Sequence, residues 1–181
     1  MDFSLSEEQR AMVDEVGRFA ENEIAPVAAE HDREESYPHE VMEKAAEMGL
    51  LGAHIPVEYG GVGYSTMEFA LIVEELFSVD PGIGLCVTSA GFGAEAIIEF
   101  GTDEQKERYL PPITEGEAVM GSAISEPQAG SDVTSIRTRA EKDGDEWVIN
   151  GSKMWITNGS VGDYFVVVCE TDETEDRYSG F

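Results

Sequence analysis

Two short stretches of this chain combine residue types that suit ligand binding. The first, Ser125-Glu126-Pro127-Gln128-Ala129-Gly130-Ser131-Asp132, lies between a short apolar segment and a β-rich region. Its hydroxyls, carboxylates and glycine are typical of a binding loop. They are equally typical of a turn in which Ser and Asp side chains bond to the backbone, and the residues alone leave both interpretations open.

The second stretch is Lys153-Met154-Trp155-Ile156-Thr157-Asn158-Gly159, and its composition predicts a strand. Trp155 and Thr157 would then lie on the same face, because side chains alternate along a strand. An indole beside a hydroxyl suits an aromatic cofactor. A tryptophan on a strand is also common in a hydrophobic core, so this stretch by itself has two interpretations.

Metal chemistry has no support in the sequence. The three histidines, His31, His39 and His54, have no spacing that suits a metal ion. Cys86 and Cys169 lie in apolar surroundings, and we predict that both pack in the interior rather than form a disulfide or bind a metal. We therefore predict no metal site.

The charge balance excludes some classes of partner. The 181 residues include 38 acidic and 11 basic ones, for a formal net charge of −27. Such a field repels nucleic acid and anionic membrane surfaces over about a Debye length. Only four of the basic residues are lysines, which is typical of halophilic proteins, although an ordinary acidic surface is the alternative interpretation.

Membrane insertion and secretion are not predicted. No apolar run reaches the roughly 18 residues that a membrane helix needs. The N-terminal residues lack the basic and apolar segments of a secretory signal. We expect a soluble, cytoplasmic protein.

The first two thirds of the chain are predicted to be helical, because capping boxes precede apolar residues at helical spacing. The capping pairs are Ser6 with Gln9, Ser65 with Glu68, and Thr102 with Gln105. Pro26 is predicted to end or kink the first helix, although that helix could continue to the charged segment before Ser36. Gly49 is predicted to end another helix in the left-handed conformation.

Small residues mark the next predicted helix, which opens at Asp80-Pro81 and runs through Gly91 and Gly93 to Ala94. They would permit close approach by a neighbouring helix or by a ligand. The helix capped at Thr102 is predicted to run through Tyr109 and to end at Pro111-Pro112.

From about Val119 the apolar period changes to that of strands. Turn dipeptides at Asp143-Gly144, Asn150-Gly151 and Asn158-Gly159 separate the β-rich runs, which predicts antiparallel hairpins. The fold class is therefore α+β, with an all-α helical domain over 1–118 and an incomplete antiparallel β-barrel-like domain over 119–181. Beyond the acidic segment from Glu170 to Asp176 the sequence stops without covering a sheet edge, so we expect the chain to end within this domain.

Taken together, the two stretches resemble the acyl-CoA dehydrogenase family. That family has Thr/Ser-Glu-Pro-x-Ala-Gly-Ser-Asp followed by Asn-Gly-x-Lys-x-Trp-Ile-Thr-Asn, and both patterns occur here in order. The resemblance begins at Leu5-Ser6-Glu7-Glu8-Gln9 and covers nearly the whole chain. Its other parts are Ile55-Pro56, Tyr59-Gly60-Gly61 and Phe100-Gly101-Thr102.

The resemblance implies FAD as cofactor and assigns roles to both stretches. In the family, the loop matching Ser122 to Ser131 lies against the flavin, and residues matching the second stretch flank its ring system. The cofactor-binding residues implied here are Ser122, Ala123, Ile124, Ser125, Trp155, Ile156 and Thr157. Ser131 is implied to contact the pantetheine part of an acyl-CoA substrate. Ser125 replaces a commoner threonine and keeps the hydroxyl, and Gln128 occupies a variable position.

The implied activity is that of an oxidoreductase of fatty acid metabolism, which oxidises an acyl-CoA thioester to the 2-enoyl-CoA and passes electrons to an electron-transfer flavoprotein. The reaction needs a positioned carboxylate base. In most members that glutamate lies in a C-terminal helical domain, which this sequence lacks. We therefore assign no catalytic residue and interpret Glu126 as a solvated or backbone-bonded carboxylate.

Three interpretations of the activity follow. In the first, the chain is a truncated dehydrogenase that needs the missing domain, supplied by a complementing C-terminal chain or within a homo-oligomer. In the second, it is a non-catalytic fragment, or a module that binds FAD and acyl-CoA for interaction only. In the third, it is a related flavoprotein that uses oxygen as acceptor or acts on another acid derivative.

Overall fold

The computed structural model describes residues 4–171 and Gly180, and helices occupy the N-terminal part of them. The helices in chain order are α1 (Glu7–Phe19), α2 (Ala25–Glu34), α3 (His39–Glu47), α4 (Thr66–Val79), α5 (Pro81–Thr88), α6 (Ala94–Phe100), α7 (Asp103–Tyr109) and α8 (Pro111–Thr114). A π-helical turn spans Ala20–Ile24, and 3-10 turns span Val57–Tyr59 and Val133–Ser135. Within the described ranges, no helix is both long and apolar enough to pass through a bilayer.

The first helix continues past Pro26 instead of ending there. A π turn over Ala20–Ile24 joins α1 to α2, and the N–H of Ala25 donates to the carbonyl of Ala20. Proline lacks an N–H and crowds the carbonyl four residues earlier, so a wider turn at this point lets the chain stay helical. Of the outcomes predicted from the sequence, continuation is the one observed.

The predicted helix starts are confirmed. Both reciprocal hydrogen bonds of the capping box are present at Ser6, Ser65 and Thr102, and Gly49 has the left-handed φ of 74°. One prediction about a helix end was wrong. The helix that opens at Pro81 ends at Thr88, and Gly93, with φ of 116°, precedes a separate helix α6. The helix capped at Thr102 ends at Tyr109, before Pro111-Pro112, as predicted. Pro111 then begins the short helix α8, because the first turn of a helix needs no N–H from proline.

The main core lies where α1, the π turn, α4 and α5 pack together. Its most buried members come from all of these elements and from α3. They include Val16, Ala20, Ile24, Ala45, Ile72, Leu76 and Val87. A second cluster, formed by Ile55, Ala94, Leu110, Ile113 and Met120, joins the helices to the first strand. This second cluster fixes the β region on the helical region.

The strands are β1 (Met120–Ala123), β2 (Arg139–Asp143), β3 (Glu146–Asn150) and β4 (Tyr164–Val167). A helical domain followed by a partial sheet domain confirms the predicted fold class. The hairpin predicted at Asp143-Gly144 is present, because β2 pairs antiparallel with β3. In contrast, β1 pairs with β4 in parallel. Asp163 holds this register: its N–H and its carboxylate bond to the carbonyl and the N–H of Val119.

The strand predicted at Met154-Trp155-Ile156 is absent from the structure. This segment has no ladder partner, and Trp155 adopts φ of 59°. A left-handed residue interrupts the alternation of a strand, so Trp155 and Thr157 do not share a strand face, and that prediction was wrong. The dipeptides Asn150-Gly151 and Asn158-Gly159 accordingly do not connect antiparallel strands.

Both cysteines are free, with Cys169 buried and Cys86 half-buried. The prediction of a packing role therefore holds fully for Cys169 and partly for Cys86. The predicted acidic segment from Glu170 to Asp176 lies largely outside the described residues.

Asp80 is expected to stabilise α5 through its cap. Its Oδ1 accepts from the N–H of Ile83 at 2.7 Å, immediately before Pro81. Asp80→Ala should lower the free energy of unfolding by about 1 kcal/mol, because this helix N–H loses its acceptor. Asp80→Asn keeps the acceptor and should lose less than half of that amount. Urea unfolding measures both, and equal losses would contradict a capping role.

Candidate functional site

A buried carboxylate organises the first of the two stretches. The Glu126 side chain is 2% exposed. It accepts from the N–H of Arg137 at 2.7 Å, from the N–H of Thr138 at 2.9 Å and from Thr138 Oγ1 at 2.5 Å. Gln128 Nε2 and Lys153 Nζ donate to it at 2.5 Å and 2.9 Å. Five donors therefore surround one carboxylate, which closes the loop onto the start of β2.

These donors keep Glu126 ionised. Burial by itself would raise the pKa of Glu126, but the hydrogen bonds from Thr138, the Arg137 amide and Lys153 outweigh burial and lower the pKa to about 2. The interpretation as a backbone-bonded carboxylate is confirmed, and the alternative of a solvated carboxylate was wrong. A carboxylate with so low a pKa is a poor general base near neutral pH.

Lys153 brings the two stretches together. Its side chain is 11% exposed, and its Nζ donates to the carbonyl of Ile124 at 2.9 Å as well as to Glu126. The next N–H along the chain, from Met154, donates to the carbonyl of Ser125 at 2.9 Å. The second stretch thus lies directly against residues 124–126.

Gly151 is required for this close approach. A Cβ atom at residue 151 would lie 2.3 Å from Thr138 Oγ1 and 2.6 Å from the Thr138 Cα. Both distances are far shorter than a van der Waals contact, so only glycine fits beside the residue that binds Glu126.

The indole of Trp155 projects into solvent. This residue is 88% exposed and left-handed, with φ of 59°. A bulky residue in this region costs on the order of 1–3 kcal/mol and is found where surrounding structure enforces it, often at functional sites. The interpretation as a core tryptophan was therefore wrong.

Asn158 joins the second stretch to the helical region. Its Nδ2 donates to the carbonyl of Ser89, just after α5, at 2.7 Å and to the carbonyl of Met120 on β1 at 2.8 Å. Its own φ is 64°, a conformation that asparagine tolerates better than most residues. Residues 155–157 therefore lie between two fixed points, Lys153 and Asn158.

Ionised Glu126 is expected to stabilise the folded chain, and this contribution is expected to disappear at low pH. Its folded-state pKa, about 2, lies below the ordinary value of 4.5, so its contribution is complete above about pH 4.5 and is lost as the pH falls towards 2. The difference in unfolding free energy between the parent and Glu126→Gln should therefore shrink over that window. Urea unfolding at several pH values measures it. Glu141→Gln, on the exposed part of β2, is the control. If the stability differences between the parent and each of the two variants changed with pH in the same way, Glu126 would not be the source of the pH dependence.

Family models match this chain over almost its whole length. The model for the acyl-CoA dehydrogenase N-terminal domain matches residues 6–117, and the model for the acyl-CoA dehydrogenase middle domain matches residues 121–181. The chain belongs to the acyl-CoA dehydrogenase family. The resemblance carried by the two stretches is confirmed.

Curated and solved acyl-CoA dehydrogenase relatives agree with this assignment. The chain is 42% identical over 176 residues to a short-chain specific acyl-CoA dehydrogenase of Clostridium acetobutylicum, covering 97% of this chain and 46% of that protein. It spans about half the length of the curated relatives that it matches.

Two solved structures are similar over most of the described fold. A chain in a structure of the electron transferring flavoprotein of Acidaminococcus fermentans matches with a TM-score of 0.88 and 41% identity, covering 95% of this chain and 46% of that one. A glutaryl-CoA dehydrogenase of Mycobacterium smegmatis in complex with FADH2 matches with a TM-score of 0.87 and 31% identity, covering 93% and 44%.

The residues that the acyl-CoA dehydrogenase resemblance implies for the cofactor lie in one region of the structure. Ser122 and Ala123 lie on β1, with Ile124 and Ser125 directly after it, and hydrogen bonds join the last two to the Lys153-Met154 pair. Ile156 and Thr157 are half-buried beside the exposed Trp155. Ser131 is exposed at the end of the same loop.

The residues that join the two stretches were not predicted from the sequence. The motif assigns no role to Lys153, and its partner Glu126 lies 27 residues away. A lysine inside an apolar segment of a chain with four lysines was the available signal. Asn158 was interpreted as a turn residue, and no local signal points to its partners Ser89 and Met120.

These residues fit a flavin. An isoalloxazine ring is planar and carries both hydrogen-bond donors and acceptors, so it suits a site with an aromatic face and a few polar groups. The exposed indole of Trp155 offers such a face. Thr157, two residues further along the chain, and Ser125, whose carbonyl accepts from the N–H of Met154, are half-buried residues with hydroxyl groups.

Proposed function

We propose that this chain forms the flavin-facing half of an FAD-dependent acyl-CoA dehydrogenase, which oxidises an acyl-CoA thioester to the 2-enoyl-CoA. The observation that carries the proposal is the junction of the two stretches through Lys153, with the Trp155 indole left exposed beside it. The proposed FAD-binding residues are Ser122, Ala123, Ile124, Ser125, Trp155, Ile156 and Thr157. Ser131 is proposed to bind the acyl-CoA, and the domain boundary is proposed near residue 118.

FAD, when bound, would supply the acceptor for the hydride that leaves the substrate. The residues of this chain would bind and orient it. Trp155 would cover part of the ring and exclude water from it, while backbone groups of residues 122–125 and the hydroxyls of Ser125 and Thr157 would hold its polar edge. Because Lys153 ties these segments together, they would present one preformed surface.

The catalytic base is proposed to lie in the part of the relatives' length that this chain does not cover. Glu126 is the carboxylate within the loop from Ser122 to Ser131, and its five donors and low pKa argue against that role. We propose that the base and further flavin contacts belong to the remaining length of the relatives, present on the same polypeptide, on a complementing chain or on a second copy. The exposed apolar side chains of Trp147, Val148 and Ile149 on β3 support such a covering element.

The electron acceptor is proposed to be an electron-transfer flavoprotein, and the acyl-CoA dehydrogenase activity is proposed for the cytoplasm. Support for the acceptor comes from the similar chain in the electron transferring flavoprotein structure. The length of the acyl group is left to experiment.

Flavin binding and bleaching test the proposed function. The purified chain is titrated with FAD in high salt, and a set of acyl-CoA esters (butyryl, octanoyl, isovaleryl and glutaryl) is then added, with and without a polypeptide that supplies the C-terminal half of a relative. We expect FAD binding by the chain and substrate-dependent bleaching only with the added half. Bleaching by residues 1–181 alone would contradict the claim that the catalytic base lies outside these residues.

A non-catalytic module that binds FAD and acyl-CoA is the second candidate. The observation that favours it is the low pKa of Glu126 together with its complete set of donors, which leaves the loop able to bind but not to abstract a proton. FAD binding without bleaching under every condition would support this candidate over the enzyme.

We also propose that the chain works in concentrated salt. The net charge of −27 makes the folded state repel itself, and screening reduces that repulsion as the Debye length falls from about 10 Å at 0.1 M to about 3 Å at 1 M salt. The midpoint of urea unfolding should therefore rise between about 0.1 M and 1 M KCl. An unchanged or lower midpoint would contradict salt adaptation.

A further inference from the structure

The conformation of Trp155 needs an explanation beyond its own contacts. With 88% of the residue exposed, the indole has little packing that could hold the left-handed backbone. A strained residue persists only when its surroundings determine its conformation. The restraint must therefore come from the residues on either side.

The N-terminal restraint is the Lys153-Met154 pair. Lys153 Nζ donates to the carbonyl of Ile124 and to Glu126, both at 2.9 Å. The Met154 N–H donates to the carbonyl of Ser125 at 2.9 Å. The two residues before Trp155 are thus fixed to the residues that follow β1, Met154 by a backbone bond and Lys153 by its largely buried ammonium.

The C-terminal restraint is Asn158. One amide nitrogen reaches two carbonyls, those of Ser89 and Met120, at 2.7 Å and 2.8 Å. The carbonyl of Asn158 also accepts from the N–H of Gly162 at 2.7 Å, which tightens the turn that follows. Residue 158 is therefore fixed to the helical region and to β1 at once.

We propose that Lys153 and Asn158 are positioning residues, which hold residues 155–157 in their binding geometry before any flavin arrives. The expected effect on flavin binding rests on the proposed function, because residues 155–157 are those proposed to flank the flavin ring. Only three residues lie between the two restraints, so neither end can move without changing the conformation of Trp155. Flavin then binds a preformed segment and does not have to order it.

Backbone dynamics of the flavin-free chain test the restraint itself. The order parameter of the Trp155 amide, from nitrogen-15 relaxation, should be about 0.85 in the parent, as for rigid backbone. In Asn158→Gly, which tolerates the same φ but lacks the amide, and in Lys153→Met, it should fall below about 0.6. The matched controls are Asn150→Gly and Lys142→Met on the exposed hairpin, which should leave it unchanged.

FAD affinity tests the consequence. Each positioning variant should bind FAD about tenfold more weakly, equivalent to about 1.4 kcal/mol. In a Trp155→Ala background Asn158→Gly should cost much less, because its effect passes through the Trp155 segment. An equal fold-change in both backgrounds would indicate a general structural role and overturn the assignment.

The two hypotheses fail separately. An order parameter below about 0.6 for the Trp155 amide of the parent would contradict the proposal that residues 155–157 are held in place. This measurement needs no variant, so it tests the proposal even if every variant fails to fold. Unchanged order parameters in folded variants would also contradict the proposal. A parent that is ordered at Trp155 but does not bind FAD would contradict the proposed function and leave the restraint supported.

Discussion

Glu126→Ala is expected to lower the free energy of unfolding by about 3–5 kcal/mol, the usual cost of removing one partner of a buried ion pair. The substitution leaves the Lys153 ammonium, which is 11% exposed, without its carboxylate. It also leaves the N–H groups of Arg137 and Thr138 without their acceptor. Urea unfolding followed by far-ultraviolet circular dichroism measures the loss.

Two further variants separate the ion pair from a general effect of charge. Glu141→Ala removes an exposed carboxylate of β2 and should change stability by no more than about 0.5 kcal/mol. Glu126→Leu combined with Lys153→Met removes both charges and should recover the part of the loss that comes from the unpaired ammonium, although the N–H groups of Arg137 and Thr138 still lack their acceptor. If Glu126→Ala and Glu141→Ala cost the same, the carboxylate does not organise the loop.

The second large effect is expected at Gly61, within the Tyr59-Gly60-Gly61 motif. A Cβ atom at residue 61 would lie 1.9 Å from the carbonyl oxygen of Ile55 and 2.7 Å from that of Gly52. Both obstacles are backbone atoms, so no side-chain rotation relieves the clash. Gly61→Ala should therefore destabilise the chain by about 3 kcal/mol or more, at the upper end of what overpacking costs.

Gly130→Ala is the matched control for Gly61, because a Cβ atom at residue 130 meets nothing within 4 Å. It should leave the free energy of unfolding within about 0.5 kcal/mol of the parent. Thermal or urea unfolding of both variants gives the comparison. A Gly61→Ala variant as stable as Gly130→Ala would mean that the turn at residues 52–61 can shift to accept the methyl group.

The features predicted correctly from the sequence depend on residues close together in the chain. A capping box such as Ser6 with Gln9 needs only three residues of separation, and so does the Asp80 cap, which explains why helix starts were predictable. The turn at Gly144 is likewise local. The resemblance to the family added the proposed flavin-binding roles of the two stretches.

The features that were missed depend on distant partners. The parallel register of β1 with β4 is set by Asp163 bonding to Val119, 44 residues away. The strand predicted around Trp155 is β-rich in composition, but Asn158 bonds to Ser89, 69 residues earlier, and tertiary hydrogen bonds override the local preference. No pattern within a short window contains this information.

The contacts of residues 89–91 with the β region limit how freely family members can exchange parts. The N–H of Met120 donates to the carbonyl of Ala90 at 2.7 Å, Gly91 bridges to Met120, and Asn158 binds Ser89. A chimera joined near residue 118 would take these three residues from one parent and their partners from another. All of these bonds end on backbone atoms except at the amide of Asn158. The parent that supplies the β region must therefore have asparagine at residue 158, whereas the parent that supplies residues 89–91 contributes only backbone carbonyls and can differ there in side chain.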